Sequence, residues 1–318
     1  MAVYTPLSDA DVAALLAQYD IGAPLRCEGI AEGVENTNYK LTTSSGRYIL
    51  TIFEKRVAEA DLPFFIGVME RLAARGFQAP QPIATRDGGY LTHIKGKPAA
   101  IVSFLDGAWP RKIELWHCAA VGEALARMHV ALDGFDIERS NALSVAGWET
   151  LLAPRMEEVE KLRPGLAALV SEDMARVRSA WRDDLPRGVI HADLFPDNAL
   201  FAGEALTGVI DFYFACTDAL AYDLAVCLNA WCFDGSRYDI ERGRAMISAY
   251  EGVRPLSALE RDMLPHLARG AALRFFATRL ADWATTPEGA TVTPKDPLEY
   301  AEKLAFHRAG REAADYGA

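Results

Sequence analysis

The chain has 318 residues, 51% of them hydrophobic, which is enough for a sizeable core and for about two domains or lobes. A net charge of −11 argues against nucleic acid or an anionic membrane as partner, yet leaves nucleotide binding through a metal open. No apolar run reaches the ~18–20 residues of a bilayer span, the start lacks a signal-peptide pattern, and the histidines and scattered cysteines form no zinc signature. A cytoplasmic protein with buried, reduced thiols is the expectation.

Ser8 followed by Asp11 reads as a capping-box variant that opens an amphipathic helix through about residue 19. Strand-like runs follow at 26–30, 38–43 and 47–53, the last two joined by Ser44-Ser45-Gly46. Residues 61–75 carry Leu62, Phe65, Ile66, Met69, Leu72 and Ala73 on one helical face, with Gly76 as the stop. Pro80 and Pro82 mark a loop. The turn Arg86-Asp87-Gly88-Gly89 then precedes strands near 90–94 and 99–104. Beyond Leu105-Asp106-Gly107 the character changes. Helices are expected at 112–132, 148–162 and 166–181, with Pro154 and Pro164 as interruptions or starts. Short strands at 187–190, 198–201 and 206–211 follow, then helices at 219–232, 238–250, 257–282 and 297–313. Residues 285–297, rich in Thr, Pro and Gly, read as a mobile surface loop. This order predicts an α+β fold. A small N-terminal lobe, 1–105, carries a sheet and helices; a larger, mainly helical lobe occupies 106–318. The hinge falls near 102–107, and the cleft between the lobes suits a small molecule.

Chemistry concentrates in His191-Ala192-Asp193-Leu194-Phe195-Pro196-Asp197-Asn198 and in Gly208-Val209-Ile210-Asp211-Phe212. Phosphoryl transfer can use this spacing. In protein kinases an H-R-D-x-x-x-x-N loop supplies a base Asp and a metal-binding Asn, and a later Asp before Phe holds magnesium. Here those roles fall to Asp193 as base and to Asn198 and Asp211 as magnesium ligands, with Ala192 where the kinases carry Arg. Magnesium is hard and takes oxygen donors, which a carboxylate and an amide carbonyl supply. A lone Asp or Asn after a strand is usually a turn former or a cap; the full pattern is much harder to produce by chance. His191 reads as an orienting residue. Upstream, Gly29 to Tyr39 contains Gly33, Asn36, Thr37 and Asn38 between two strands, where backbone amides can approach phosphates. A plain hairpin turn would use the same residues. No GxxxxGK[ST] is present, so the site is not of Walker type.

The chain resembles the aminoglycoside phosphotransferase and choline kinase group, a protein-kinase-like fold, and within it is most similar to the homoserine kinases. The carrying segments are 33–39, 48–56 (Tyr-Ile-Leu-Thr-Ile-Phe-Glu-Lys-Arg), 61–65, 191–198, 209–212 and 221–225. The HADxxxxN and IDF pieces define the superfamily; the wording around LTIFEKR and HADLFPDN points to homoserine kinase. The resemblance implies an antiparallel N-terminal sheet, ATP and Mg2+, and phosphorylation of the L-homoserine hydroxyl in threonine biosynthesis. Adenine would then lie near Ser103 and Phe104, with Asp223 bracing the catalytic loop. One departure stands out. Many relatives place a phosphate-anchoring Lys on the third strand, where this chain has Thr51, with Lys55 and Lys40 as alternatives. A zwitterionic acceptor needs a cation for its carboxylate. Arg274 and Arg279 are candidates, at most one of which serves, since residues five apart do not share a helix face well. His129 reads as packed or capping, and Trp231 and Phe275 as core. Other readings stay open: a kinase for an aminoglycoside, choline or methylthioribose, or a nucleotide-binding protein without turnover.

Overall fold

A computed structural model describes residues 4–30, 36–54, 57–285, 294–309 and 311–318. Ser8 caps helix α1 (Asp9–Leu16): its hydroxyl accepts the Asp11 amide at 3.2 Å and the Asp11 carboxylate accepts the Ser8 amide at 2.8 Å. The helix stops short of residue 19, where Tyr19 instead forms an antiparallel bridge with Thr85. Strands β1 (Pro24–Gly29), β2 (Thr37–Thr43) and β3 (Gly46–Ile52), helix α2 (Leu62–Ala74), and strands β4 (Leu91–Ile94) and β5 (Lys97–Ser103) complete the upper lobe. The sheet is antiparallel throughout, in the order β1-β2-β3-β5-β4. Thr37, Tyr39, Leu41 and Thr43 of β2 are buried, while the residues between them are half-buried, the period of two that a strand imposes. Tyr39, Leu41, Leu50 and Ile52 pack on Val12, Leu15 and Leu16 of α1 in a small core of their own. Ala100 and Val102 join Phe53 and α2 in the main core. Gly76, at φ +71°, follows α2 as its sequence position requires. The turn joining β4 to β5 is Lys95-Gly96, both at positive φ, and lay outside the sequence expectation because Lys rarely takes that conformation.

The lower lobe begins with α3 (Leu115–Ala131), α4 (Val145–Leu152), α5 (Met156–Leu162) and α6 (Leu166–Ala180). The helical run expected over 148–162 is interrupted at Pro154 as anticipated, by a 3-10 turn at Ala153–Arg155, because Pro154 has no N–H to continue the ladder. Two antiparallel ribbons follow. Strand β6 (Arg187–Ile190) pairs with β9 (Cys216–Ala219), and β7 (Ala199–Ala202) with β8 (Ala205–Val209). Strand β9 was not expected; four residues with Thr217 and Asp218 at their centre carry too little pattern to read. The remaining elements are α7 (Leu220–Trp231), a small hairpin of β10 (Phe233–Asp234) and β11 (Arg237–Tyr238), α8 (Ile240–Glu251), α9 (Ala258–Thr285) and α10 (Leu298–Arg308). Helix α10 ends at Arg308, not at 313, and a separate 3-10 turn covers Ala313–Tyr316.

Helices α3 and α8 meet backbone to backbone. A Cβ on Gly122 would lie 2.1 Å from the Met246 carbonyl oxygen, so only glycine fits. Helix α9 has 28 residues and, at ~1.5 Å of rise each, is ~42 Å long. Ser257 and Glu260 cap it reciprocally: the Glu260 amide donates to the Ser257 hydroxyl at 3.2 Å and the Ser257 amide to the Glu260 carboxylate at 2.9 Å. Arg269, on the same helix, donates to the His307 carbonyl of α10 at 2.5 Å and lies 3.9 Å from Asp173 of α6. Among the described residues no helix is long and apolar enough to cross a membrane. Four of the five free thiols, Cys118, Cys216, Cys227 and Cys232, are buried, and Cys27 is half-buried.

Candidate active site

Strand β6 ends at Ile190 and hands the chain to a loop built around one carboxylate. Asp223, fully buried in the first turn of α7, accepts the His191 amide at 2.7 Å and the Ala192 amide at 2.8 Å. The same carboxylate lies 3.1 Å from His129 Nε2, and His129 Nδ1 lies 2.9 Å from the Tyr250 hydroxyl. Burial pushes the Asp223 carboxyl up. His129 and the His191 amide outweigh that, so it stays below the ordinary carboxylate range. His129 is thus a buried brace, as its sequence position suggested. The two amides bend the loop so that Ala192 sits at φ +64°, a left-handed conformation that costs a non-glycine residue ~1–2 kcal/mol. The Ala192 carbonyl accepts from the Arg274 guanidinium of α9, which pins the bend from its other side.

His191 is a strut. Its Nδ1 accepts the Asp193 amide at 3.2 Å and its Nε2 lies 2.9 Å from the Ile210 carbonyl, which assigns the neutral ring with its proton on Nε2. Burial holds its pKa below the usual value, in keeping with that form. The ring rests against buried Phe212 at 4.9 Å between centroids. It therefore joins the loop carrying Asp193 to the segment carrying Asp211.

Asn198 ends a 3-10 turn and is buried. Its Nδ2 donates to the Asp193 carbonyl at 2.8 Å and lies 3.5 Å from the Asp193 carboxylate. That leaves the amide oxygen on the opposite side. The Asn198 carbonyl accepts the Ile210 amide at 3.0 Å, so Asp211 follows one residue after a fixed point. Asp211 lies two residues beyond β8, exposed and at φ +64°. Its strain, like that of Ala192, sits at the reacting end of the loop. Burial pushes the Asp193 carboxyl up to about 8; the charges of Asp211 and Asp197 add to this, and those of Arg274 and Lys295 oppose it. Carboxylates converging in this way suit a hard divalent cation. Among the described residues no cluster of three or more His, Cys, Asp or Glu side chains forms a metal cage. Asn198 and Asp211 supply two oxygen donors, and magnesium ordinarily completes such a set with water and phosphate oxygens.

Above the loop, the strand position that carries Lys in many kinases holds Thr51, which is buried and donates to Asn38 Oδ1 at 2.8 Å. The phenol of Tyr213, two residues after Asp211, also hydrogen-bonds Thr51, and its ring meets Phe53 at 5.2 Å and Phe65 of α2 at 5.7 Å, both edge-on. Lys40 alternates with the buried side chains of β2 and so shares the face of Asn38; its Nζ lies 4.8 Å from the centroid of the Phe104 ring. Ser103 accepts the Gln81 amide at 2.9 Å. Thr37 does not face the cleft: its hydroxyl donates to Glu54 at 2.8 Å and accepts the amides of Tyr4 at 3.0 Å and Thr5 at 3.2 Å. Asn36 Oδ1 accepts the Glu54 amide at 3.3 Å. The side chains of both therefore brace the end of the loop, whose expected approach to phosphate is through backbone amides. Gly33 and Lys55 lie outside the described residues, as do 286–293 of the loop expected to be mobile.

Residues 26–256 match the phosphotransferase enzyme family. The chain belongs to that family. It is 58% identical over 319 aligned residues to a homoserine kinase of Methylobacterium sp. (strain 4-46), covering 100% of this chain and 99% of the relative. It is 56% identical to a homoserine kinase of Xanthobacter autotrophicus, with the same coverage. Solved structures share the fold at low identity. An amicoumacin kinase in complex with AMP-PNP, Ca2+ and Ami aligns with a TM-score of 0.70 at 14% identity, over 95% of this chain and 92% of that one. A spectinomycin phosphotransferase with ADP and spectinomycin aligns with a TM-score of 0.70 at 12% identity, over 98% of each. The chain thus has the protein-kinase-like fold of the aminoglycoside and choline kinases.

In this phosphotransferase both candidate arginines already bond within the protein, although Arg274 Nε is buried without a hydrogen-bond partner. Arg274 is 2% exposed and holds the Ala192 carbonyl. Arg279 donates to Glu299 at 2.6 Å and to the Asp296 carbonyl at 3.1 Å. Helical position alone cannot reveal these partners. Sequence reasoning also passed over Arg139, which donates to Asp61 at the start of α2 at 2.7 Å and to the Ala215 carbonyl at 3.1 Å. It ties the upper lobe to the segment after Asp211, and its partners are distant in sequence. Tyr213 left one faint signal, an aromatic residue directly after Asp-Phe.

Proposed function

We propose that this protein transfers the γ-phosphate of ATP to the side-chain hydroxyl of L-homoserine, giving O-phospho-L-homoserine. The observation that carries the chemistry is the meeting of Asp193, Asn198 and Asp211 on one loop system fixed by Asp223, His191 and Arg274. The acceptor follows from full-length similarity to homoserine kinases. ATP lies between a nucleotide-binding lobe, 1–105, and a catalytic lobe, 106–318, with adenine near Ser103 and Phe104. Asp193 orients the acceptor hydroxyl and takes its proton as the oxygen attacks in line. The His191 strut keeps that carboxylate at a constant distance from Asp211, and Arg274 keeps it from drifting. Asn198 and Asp211 would hold magnesium, which neutralises phosphate charge when bound. Such a cation would also offset the repulsion that Asp211 adds to the effect of burial on Asp193, favouring the ionised base. The enzyme belongs to threonine biosynthesis in the cytoplasm.

The test is ADP release with magnesium present, offered L-homoserine, choline, methylthioribose and kanamycin in turn. Turnover confined to L-homoserine is expected. Turnover with another acceptor only would keep the mechanism and discard the substrate, and ATP binding without turnover on any of them would discard both.

A further inference from the structure

An amino acid whose side-chain hydroxyl reaches Asp193 brings a carboxylate and an ammonium a few bonds behind it. Both need partners near the catalytic loop, and the cations there are mostly committed. Arg274 holds Ala192, and Arg279 is matched to Glu299. Lys303 is buried and donates to the Asn229 carbonyl at 3.0 Å and to Glu299 at 2.8 Å.

Lys295 differs from these. Its side chain is 63% exposed and its Nζ lies 3.6 Å from Asp197 Oδ2, too long for a good hydrogen bond. The same Nζ stands 5.5 Å from the centroid of Phe195. Phe195 and Asp197 are members of the catalytic loop itself, so Lys295 arches from the segment before α10 over the residues that follow the base. Asp197 is 51% exposed. The two form a loose, wet ion pair beside Asp193, and a pair of this kind contributes little to stability.

Resting on the homoserine reading, we propose that this pair is the seat of the acceptor's amino-acid head: Lys295 takes the carboxylate and Asp197 the ammonium. A zwitterion entering between them replaces one weak intramolecular pair by two intermolecular ones and adds no net charge to the site. The charges of both residues reach Asp193, Asp197 raising its carboxyl and Lys295 lowering it, as expected for groups lining the same space. A second observation points to the same wall. The Tyr300 hydroxyl of α10 is buried without a hydrogen-bond partner, and the Asp193 charge reaches it as well. The Phe275 ring bridges Tyr300, at 5.3 Å, and Phe195, at 4.8 Å. Lys295 also selects by repulsion, because a polycation or a quaternary ammonium would meet it without offering a carboxylate.

The experiment is a cycle between protein and substrate. The wild-type enzyme, Lys295→Gln and Lys295→Arg are assayed with L-homoserine and with its amide, in which the carboxylate is replaced by a neutral carboxamide. Wild type is expected to lose ~10–100-fold in kcat/KM on the amide, the usual value of a charge-assisted contact. Lys295→Gln should lose a similar factor on L-homoserine, through KM, and then separate the two substrates by no more than roughly threefold, with KM for ATP unchanged. Lys295→Arg should keep most of the discrimination. A Lys295→Gln enzyme with wild-type KM for L-homoserine, or with the full preference for the carboxylate intact, overturns the assignment. Failure of the wild type on L-homoserine, with turnover of some other hydroxyl compound, would instead strike the acceptor reading on which it rests.

Discussion

Asp223→Asn is the sharpest probe of how the loop is built. The carboxylate receives two amides, at 2.7 and 2.8 Å, and faces His129 Nε2 at 3.1 Å, all fully buried. An asparagine fills the same volume but accepts on one oxygen only. Its NH2 would then point at a donor, whichever way the amide turns. One orphaned buried N–H costs ~1–3 kcal/mol, and losing charge from the remaining bond costs a comparable amount. The sum, ~3–5 kcal/mol, matches the usual penalty for breaking a buried pair. Set against ~5–15 kcal/mol of total stability, the variant folds with a much smaller margin. The Ala192 bend is held by those amides, so Asp193 shifts with it, and a displacement near 1 Å costs on the order of 10²-fold in kcat. Urea unfolding followed by tryptophan fluorescence should show the lower midpoint, and coupled ADP release the lower kcat with a smaller change in KM for ATP. An Asp223→Asn enzyme with wild-type kcat and an unmoved midpoint would refute the bracing role.

Other variants test separate parts. Asp193→Asn should lower kcat by ~10²–10⁴-fold, the range of a positioned base, while circular dichroism stays that of the wild type. Asp211→Asn should abolish turnover at ordinary magnesium, and a full rate at the same magnesium concentration would remove it from the ligand set. Ala192→Gly should leave stability unchanged or raise it by up to ~1 kcal/mol, because glycine adopts φ +64° without strain, whereas Ala192→Val should lower it by more than ~1 kcal/mol. Gly122→Ala must push α3 off Met246 of α8, a loss of ~1–3 kcal/mol readable as a drop of several degrees in Tm.

Most of the architecture is legible in the residues because the patterns are local. Leu62 through Leu72 repeat at helical spacing, Ser8 and Asp11 cap, and β2 alternates cleanly. The kinase-like triad is legible because its order is fixed within one short stretch, 191–211. What escaped was set by distant partners. Strand β9 exists because β6 offers it an edge, and nothing in Cys216-Thr217-Asp218-Ala219 announces that. Thr37 is read from the sequence for its backbone amide, and nothing local shows that Glu54, Tyr4 and Thr5 hold its hydroxyl. Arg274 and Arg279 were recognisable as cations near a site. Whether a cation is spent or available depends on the neighbours that folding brings, here Ala192 and Glu299.

Helix α9 gives the active site an unusual dependence. Three of its four arginines reach other elements around the site: Arg269 to α6 and α10, Arg274 to the catalytic loop, and Arg279 to the start of α10. Many enzymes lose activity in mild denaturant while their bulk structure persists, because the site rests on a soft surface segment. Here the bend that sets the base hangs from a long helix that is buried at every residue from Leu267 to Ala277. Loss of turnover and loss of tertiary structure should therefore fall on one urea curve, and a partly unfolded population that still scores as folded by fluorescence should not go silent early.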